Sequence, residues 1–372
     1  MNQMLDFGTP PNPTCKNTAT FPSEIFELPN HESIFIFQCF AHTQTAISFP
    51  KNKISISSLQ QLSLRENSAL IGSIPPQISS LKSLQILTLS QNMLTGLIPV
   101  ELFSLNSLLH LDLSYNRLTG TIPVQISSLR SLLGLDLSYN KLTGTIPAPI
   151  GQLLVLQKLD FSSNSLTGSI PDSFQLLNSL IFLALSNNKL HGRFPRGLAG
   201  LQNLQYFIMD DNPMFIPLPL EFGHLRKLQE LRLANSGYSG TIPPIYSQLM
   251  NLSALSLQNS QLTGKIPTAF SNLSHIYHLN LSRNFLGGVV PFNSSFLKTL
   301  GRNLDLSSNP GLCLSPSEAF GVNVGIDVCG SNKTASSIRP LKNSESPFQF
   351  PKTLILTSFW VFLALHHILF SV

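Results

Sequence analysis

The feature that most constrains this chain is an asparagine that returns every 24 residues: Asn92, Asn116, Asn140, Asn164, Asn188 and Asn212. The beat continues through Ser236 and Ser260 to Asn284, with one residue gained at each end to reach Asn67 and Asn309. Each beat carries one frame, of which Leu111-Asp-Leu-Ser-Tyr-Asn116-Arg-Leu-Thr-Gly-Thr-Ile-Pro123 is a copy. Leu-x-Leu alternation makes a short strand with one buried face and one open face. A single coil cannot bury its leucines alone, so a stack of coils must share one core, which makes the chain a repeat solenoid. About eleven coils stacked at about 4.8 Å give a parallel sheet on the order of 50 Å long. The asparagine leaves the strand and turns inward, where its amide offers both a donor and an acceptor to buried backbone groups. Ser236 and Ser260 on the same rung are expected to make fewer bonds. Three residues before each proline of the frame stands a glycine, as in Gly120 and Pro123. The glycine permits the turn, and the proline fixes φ on the return path.

The L-x-x-L-x-L-x-x-N pattern is a leucine-rich-repeat signature. The fuller consensus, LxxLxLSxNxLTGxIP, resembles the plant-specific repeat of receptor kinases and receptor-like proteins, over roughly residues 54–314. That resemblance implies a right-handed leucine-rich-repeat superhelix with a concave parallel sheet, a second small sheet near LTGxIP, and an extracellular location. No HRD or DFG motif follows, so the resemblance is to kinase-less receptor-like proteins. The short repeat region, the NPGLC end and the apolar tail make it most similar to the TOO MANY MOUTHS type.

Around these repeats the expected organisation is as follows. Residues 1–53 hold a partial cap and a degenerate first coil, in which Pro22, Ile25, Leu28, Ile34 and Ile36 match the frame and Cys39 falls on the asparagine rung. Repeats fill 54–314, a C-terminal cap 315–330, a polar linker 331–352 and a hydrophobic tail 353–372. The tail contains no Lys, Arg, Asp or Glu, and its length suits either a bilayer-spanning helix or a removable GPI-attachment signal. The GPI reading is preferred, with Ser344 as attachment site and Ala335-Ser-Ser337 as rival. Residues 1–20 lack the basic and apolar regions of a secretory signal, so the expectation is that a signal and most of a cap belong upstream.

Cysteine and asparagine usage fit secretion. Cys313 closes the last copy and Cys329 follows it, so a bridge there is expected to clamp the end of the core. Cys39 is expected as a buried rung with Cys15 unpaired, a Cys15–Cys39 bridge being the alternative. Asn251, Asn272, Asn280, Asn293 and Asn332 begin N-x-S/T acceptor sequences.

Binding residues are sought where side chains face out beside the strand leucines. Between the leucines the chain carries Asp112, Asp136 and Asp160 in line, read as ordinary filling of the repeat rather than a metal site. The pattern breaks further along. Phe182, Tyr206 and Ile208 are large where neighbours are small, Glu230 and Arg232 follow, and Asp210 replaces a serine. The same coil has Met214-Phe-Ile216 in place of Leu-Thr-Gly. Aromatic groups rimmed by both charges suit a protein-recognition surface.

Composition excludes other classes. Charged residues are 11% of the chain and its +5 net charge is scattered, which is no nucleic-acid footprint. Nucleophile elbow, phosphate loop and Cys-x-x-Cys are absent from the sequence, so no enzyme, no cofactor and no metal is expected. The reading is a cell-surface recognition protein that binds a peptide or protein ligand, a receptor kinase co-receptor, or both, in development or defence. A secreted inhibitor resembling polygalacturonase-inhibiting proteins and a cytosolic scaffold are the rivals.

Overall fold

The computed structural model describes residues 4–8, 12, 14–28, 31–50, 58–319 and 324–330. The polar linker, Asn332, Ser344 and the hydrophobic tail lie outside the described residues. Among the described residues, no helix is long and apolar enough to cross a membrane.

The Leu-x-Leu segments form the expected strands. They pair in parallel into a 13-stranded sheet running from Met4–Phe7 to Leu304–Asp305. Register is strict: Leu111 stands beside Leu87 and Leu135, and Asp112 beside Thr88 and Asp136. A slip of one residue would expose every leucine, so burial fixes the pairing. Leu111, Leu113 and their equivalents are buried in one continuous core. After each proline the chain takes a single 3-10 turn, such as Val124–Ser128, whose Ile126 is buried. The coil from Asn284 to Asn309 is one residue longer and instead holds a short α-helix, Ser294–Leu300, capped by the Asn293 side chain accepting from the Phe296 amide.

The asparagine rung works as expected. Asn116 Oδ1 accepts the Leu94 amide at 3.0 Å, and its Nδ2 donates to Leu89 and Leu113 carbonyls at 2.8 and 3.1 Å. Each amide thus ties its own coil to the one before. Ser236 accepts from the Asn212 amide at 3.2 Å and donates to the Ala234 carbonyl at 2.8 Å. The buried Ser260 hydroxyl has no partner. The residue before each rung adopts a left-handed backbone, with φ of 52° at Tyr115 and 51° at Tyr139. This conformation costs a non-glycine residue about 1–2 kcal/mol, and the rung bonds hold it.

The LTGxIP segments make a second ribbon in two pieces, not one. A seven-stranded sheet ends at Lys189–Leu190, and a five-stranded sheet starts at Ser239–Thr241. Between them lies the coil with Met214-Phe-Ile216. Here the positive φ falls at Phe215 (49°), and Pro217 makes one isolated bridge to Ser239. Proline has no amide hydrogen to continue the ladder.

Both ends depart from or confirm the sequence reading in a definite way. The degenerate coil is present: Ser33–Phe37 is a strand, and the Cys39 amide donates to Asn67 Oδ1 at 2.8 Å. The unpaired Cys15 is not: Cys15 and Cys39 form a disulfide with Cα atoms 5.0 Å apart. The reason is a thirteenth strand, Met4–Phe7, which pairs Leu5 with Ile34 and Phe7 with Ile36. It makes the first residues an additional coil, whose return path passes Cys39. At the other end Cys313 and Cys329 are bridged as expected, again with Cα atoms 5.0 Å apart. Gly311–Leu314 lies between Phe285–Val289 and Asp327–Val328.

Candidate recognition surface

The strands of the long sheet bury their leucines and turn the flanking residues to the open face. Phe182, Tyr206 and Glu230 are neighbours in one row of adjacent strands, and Ala184, Ile208 and Arg232 in the next. All but Ala184 are half-buried. The Phe182 and Tyr206 rings lie 6.1 Å apart, tilted by 41°. Tyr206 donates its hydroxyl to Gln229 Oε1 at 3.0 Å, and Gln229 Nε2 donates to Gln205 Oε1 at 3.1 Å. Side chains so tethered present a preformed surface at low entropic cost. Burial raises the Tyr206 phenol above its ordinary range, with Glu230 adding to the effect.

Asp210 is a correction. It was grouped with the outward-facing residues, but its side chain is only 6% exposed. Its Oδ2 accepts from Arg232 Nε at 2.7 Å and its Oδ1 from the Ala234 amide at 2.7 Å. Burial pushes its carboxyl up, and Arg232 opposes that shift. Asp210 therefore braces the guanidinium from below, while Arg232 Nη1 reaches Glu230 Oε1 at 3.8 Å.

The aspartate row is built into the strands. Asp112 and Asp136 Oδ1 each accept from the backbone amide and hydroxyl of the serine two residues on, at 2.6–3.1 Å. Asp160 Oδ1 accepts the Ser162 amide at 2.9 Å. Such turns close the strand end. Among the described residues, no group of three His, Cys, Asp or Glu side chains is placed to hold a metal. Sequence reasoning passed over Lys158, which bonds Asp136 Oδ2 at 2.9 Å and stands 5.8 Å over the Phe182 ring. It also passed over Tyr115 and Tyr139, stacked at 4.1 Å on the edge of the same face. Spacing alone showed them to be neighbours: each is the residue before its rung.

Crowding sets a pH response. The Asp160 carboxyl is pushed up to about 7, first by burial and then by Asp136, against the pull of Lys158. The folded state then binds this proton more tightly than the unfolded chain. Its contribution to stability is complete below about pH 4 and lost as pH rises towards 7. Asp160→Asn keeps an acceptor for the Ser162 amide and removes the charge. Allowing for partial exposure, it should raise the unfolding free energy by about 2 kcal/mol at pH 7 and hardly at all at pH 4. Urea titrations of both proteins across that range would measure the difference.

The glycan acceptors lie in different settings. Asn251, Asn272 and Asn293 are exposed. Asn280 is half-buried on the open face, its Oδ1 accepting from the Ser282 amide and hydroxyl at 3.1 and 2.8 Å.

Comparison with known proteins agrees with this architecture. The leucine rich repeat family model matches residues 57–118, 135–190 and 154–214, and a second leucine rich repeat model matches 251–273. Receptor like protein 29 of Arabidopsis thaliana is 66% identical over 88 residues, which cover 24% of this chain and 19% of that protein. The plant peptide hormone receptor RGFR1, solved in complex with RGF2, superposes with a TM-score of 0.72 at 28% identity, covering 87% of this chain and 53% of that one. The Arabidopsis receptor kinase HAESA, solved with the peptide hormone IDA and the co-receptor SERK1, gives 0.64 at 27% identity, covering 84% and 65%. Fold and repeats together define the class: a leucine-rich-repeat solenoid. The chain is similar to plant leucine-rich-repeat receptor-like proteins, as the repeat consensus implied.

Proposed function

We propose that this chain is the recognition part of a kinase-less plant receptor-like protein at the extracellular face of the cell membrane. It binds a peptide or protein ligand on the open face of the long sheet and signals through a receptor kinase co-receptor, without catalysing a reaction itself. The observation that carries the reading is the patch of Phe182, Tyr206, Ile208, Glu230 and Arg232, assembled on three adjacent strands and braced by Asp210. Solved relatives described with a peptide hormone, and in one case a co-receptor, support the same class of partner. In this reading Asn251, Asn272 and Asn293 carry glycans, the tail anchors the protein through Ser344, and the likeness to the TOO MANY MOUTHS type extends to its role as a subunit.

The test is capture of binding partners from plant membranes and secreted fluid by the full chain and by a Tyr206→Ala, Arg232→Ala variant. Aromatic and Arg anchors contribute about 2 kcal/mol or more each, so capture should fall roughly 1000-fold in the double variant, and about 30-fold in Tyr206→Ala alone, which strands no buried charge and serves as the folded control. Unaltered capture would move the site off this patch. A mobility shift of the endogenous protein on N-glycosidase treatment checks entry into the secretory pathway, and its absence would turn the reading towards a cytosolic scaffold.

A further inference from the structure

The middle of the open face carries an excess of acidic groups, opposite in sign to the charge of the whole chain. From Asp112 to Asp160 it presents three carboxyl groups, that of Asp160 pushed up to about 7, against one ammonium, Lys158, whereas the whole chain is +5. Lys158 bonds Asp136. Asp112 lies two strands away, and among the described residues it has no ion pair. Beside this row stand Tyr115 and Tyr139, stacked with an interplanar angle of 10° and 42% and 47% exposed. Leu111, Leu113, Leu135 and Leu137 beside them are buried, so these two rings are the large apolar surface left open to water here.

We propose that the Asp112–Asp160 stretch of the open face docks a basic segment of the ligand, with a Lys or Arg side chain placed between the carboxylate row and the Tyr115–Tyr139 stack. This deepens the recognition reading above and rests on it. Charge complementarity names the occupant. A cation here gains the uncompensated Asp112 carboxylate on one side and an aromatic face on the other, and cations are attracted to Tyr rings within about 6 Å. A neutral or acidic segment gains neither and leaves the carboxylates facing one another. The carboxylates already feel that lack: burial, and then Asp136, raise the Asp112 carboxyl above its ordinary range. Phe182, Tyr206 and Arg232 lie on the strands that follow, so an extended ligand can touch both regions at once. The first supplies charge and orientation, the second apolar anchoring.

A random peptide library displayed on phage, selected against the full chain, tests this. The expected result is a set of binders enriched in Lys and Arg. Affinity for the leading synthetic peptide should fall at least tenfold in an Asp112→Asn, Asp160→Asn variant and should weaken with salt. Both substitutions keep the acceptors that cap Ser114 and Ser162, and a thermal midpoint no lower than the parent's shows that the variant folds. Binders without basic enrichment, or an affinity indifferent to both substitutions, overturn the proposal while the recognition reading stands. Failure to select any binder defeats both.

Discussion

Replacing Asn116 with alanine should lower the free energy of unfolding by about 3 kcal/mol, because it leaves the buried Leu94 amide and the Leu89 carbonyl without their partner. Those two groups belong to the preceding coil, so the loss falls on the contact between coils rather than on one turn. A leucine-to-alanine change would empty space but strand no polar group, whereas this change does the reverse. Asn116→Ser should cost less, since the chain itself uses serine at position 236 with two bonds remaining. The converse substitution, Ser260→Asn, should stabilise by about 1 kcal/mol by restoring a rung whose hydroxyl is unpartnered. Equilibrium denaturation in urea of the three variants beside the parent would settle the order. Equal midpoints for Asn116→Ala and the parent would show that the rung is not what joins the coils.

The second large effect concerns the C-terminal clamp. Converting both Cys313 and Cys329 to serine should cost about 3 kcal/mol, the loop-closure value for a bridge spanning 16 residues. The effect should be local before it is global. Among the described residues Gly311–Leu314 has only the two-residue strand Asp327–Val328 beyond it, so amides of the last coil should lose protection from hydrogen exchange while those around Leu111 keep theirs. Uniform loss along the whole stack would instead mean that the clamp governs the entire core.

Most of the fold was legible because it is written many times over. Strand positions, inward leucines, the rung and the prolines each recur at one spacing, so a single reading of Leu111 to Pro123 serves for every coil. What occurs once was not legible. Leu5-Asp-Phe7 does repeat Leu-Asp-Leu, but no asparagine stands three residues later, so the first strand was missed and the Cys15–Cys39 bridge stood only as the alternative to an unpaired Cys15. Asp210 was misread for a related reason. Its replacement of a serine was plain, but the burial of that column, at Ser90, Ser114 and Ser138, was not carried over to it. A carboxylate placed in a buried serine slot must find a cation, and Arg232 on the next strand is that cation. The open-face patch was legible as a break in pattern. Its hydrogen-bonded glutamines and the Lys158 contacts were not, because they depend on side-chain direction rather than spacing.

The interruption at Phe215 bears on how such an array gives way. In a stack where each coil interacts only with the next, total stability is close to a sum of neighbour couplings, and cooperativity is no stronger than the weakest of them. At this coil the second ribbon keeps contact on one side, through the Pro217 bridge to Ser239 and the Met214 and Phe215 amides donating to the Ser236 carbonyl, while on the other the ladder stops at Lys189–Leu190, although the long sheet and the Asn212 rung run through it. The seam is therefore the natural place for the zipper to open. Tension drawn along the stack should part it into an N-terminal and a C-terminal length, each still wound, with the aromatic patch straddling the join, Phe182 on one side and Tyr206–Ile208 on the other. A ligand seated there would act as a splint.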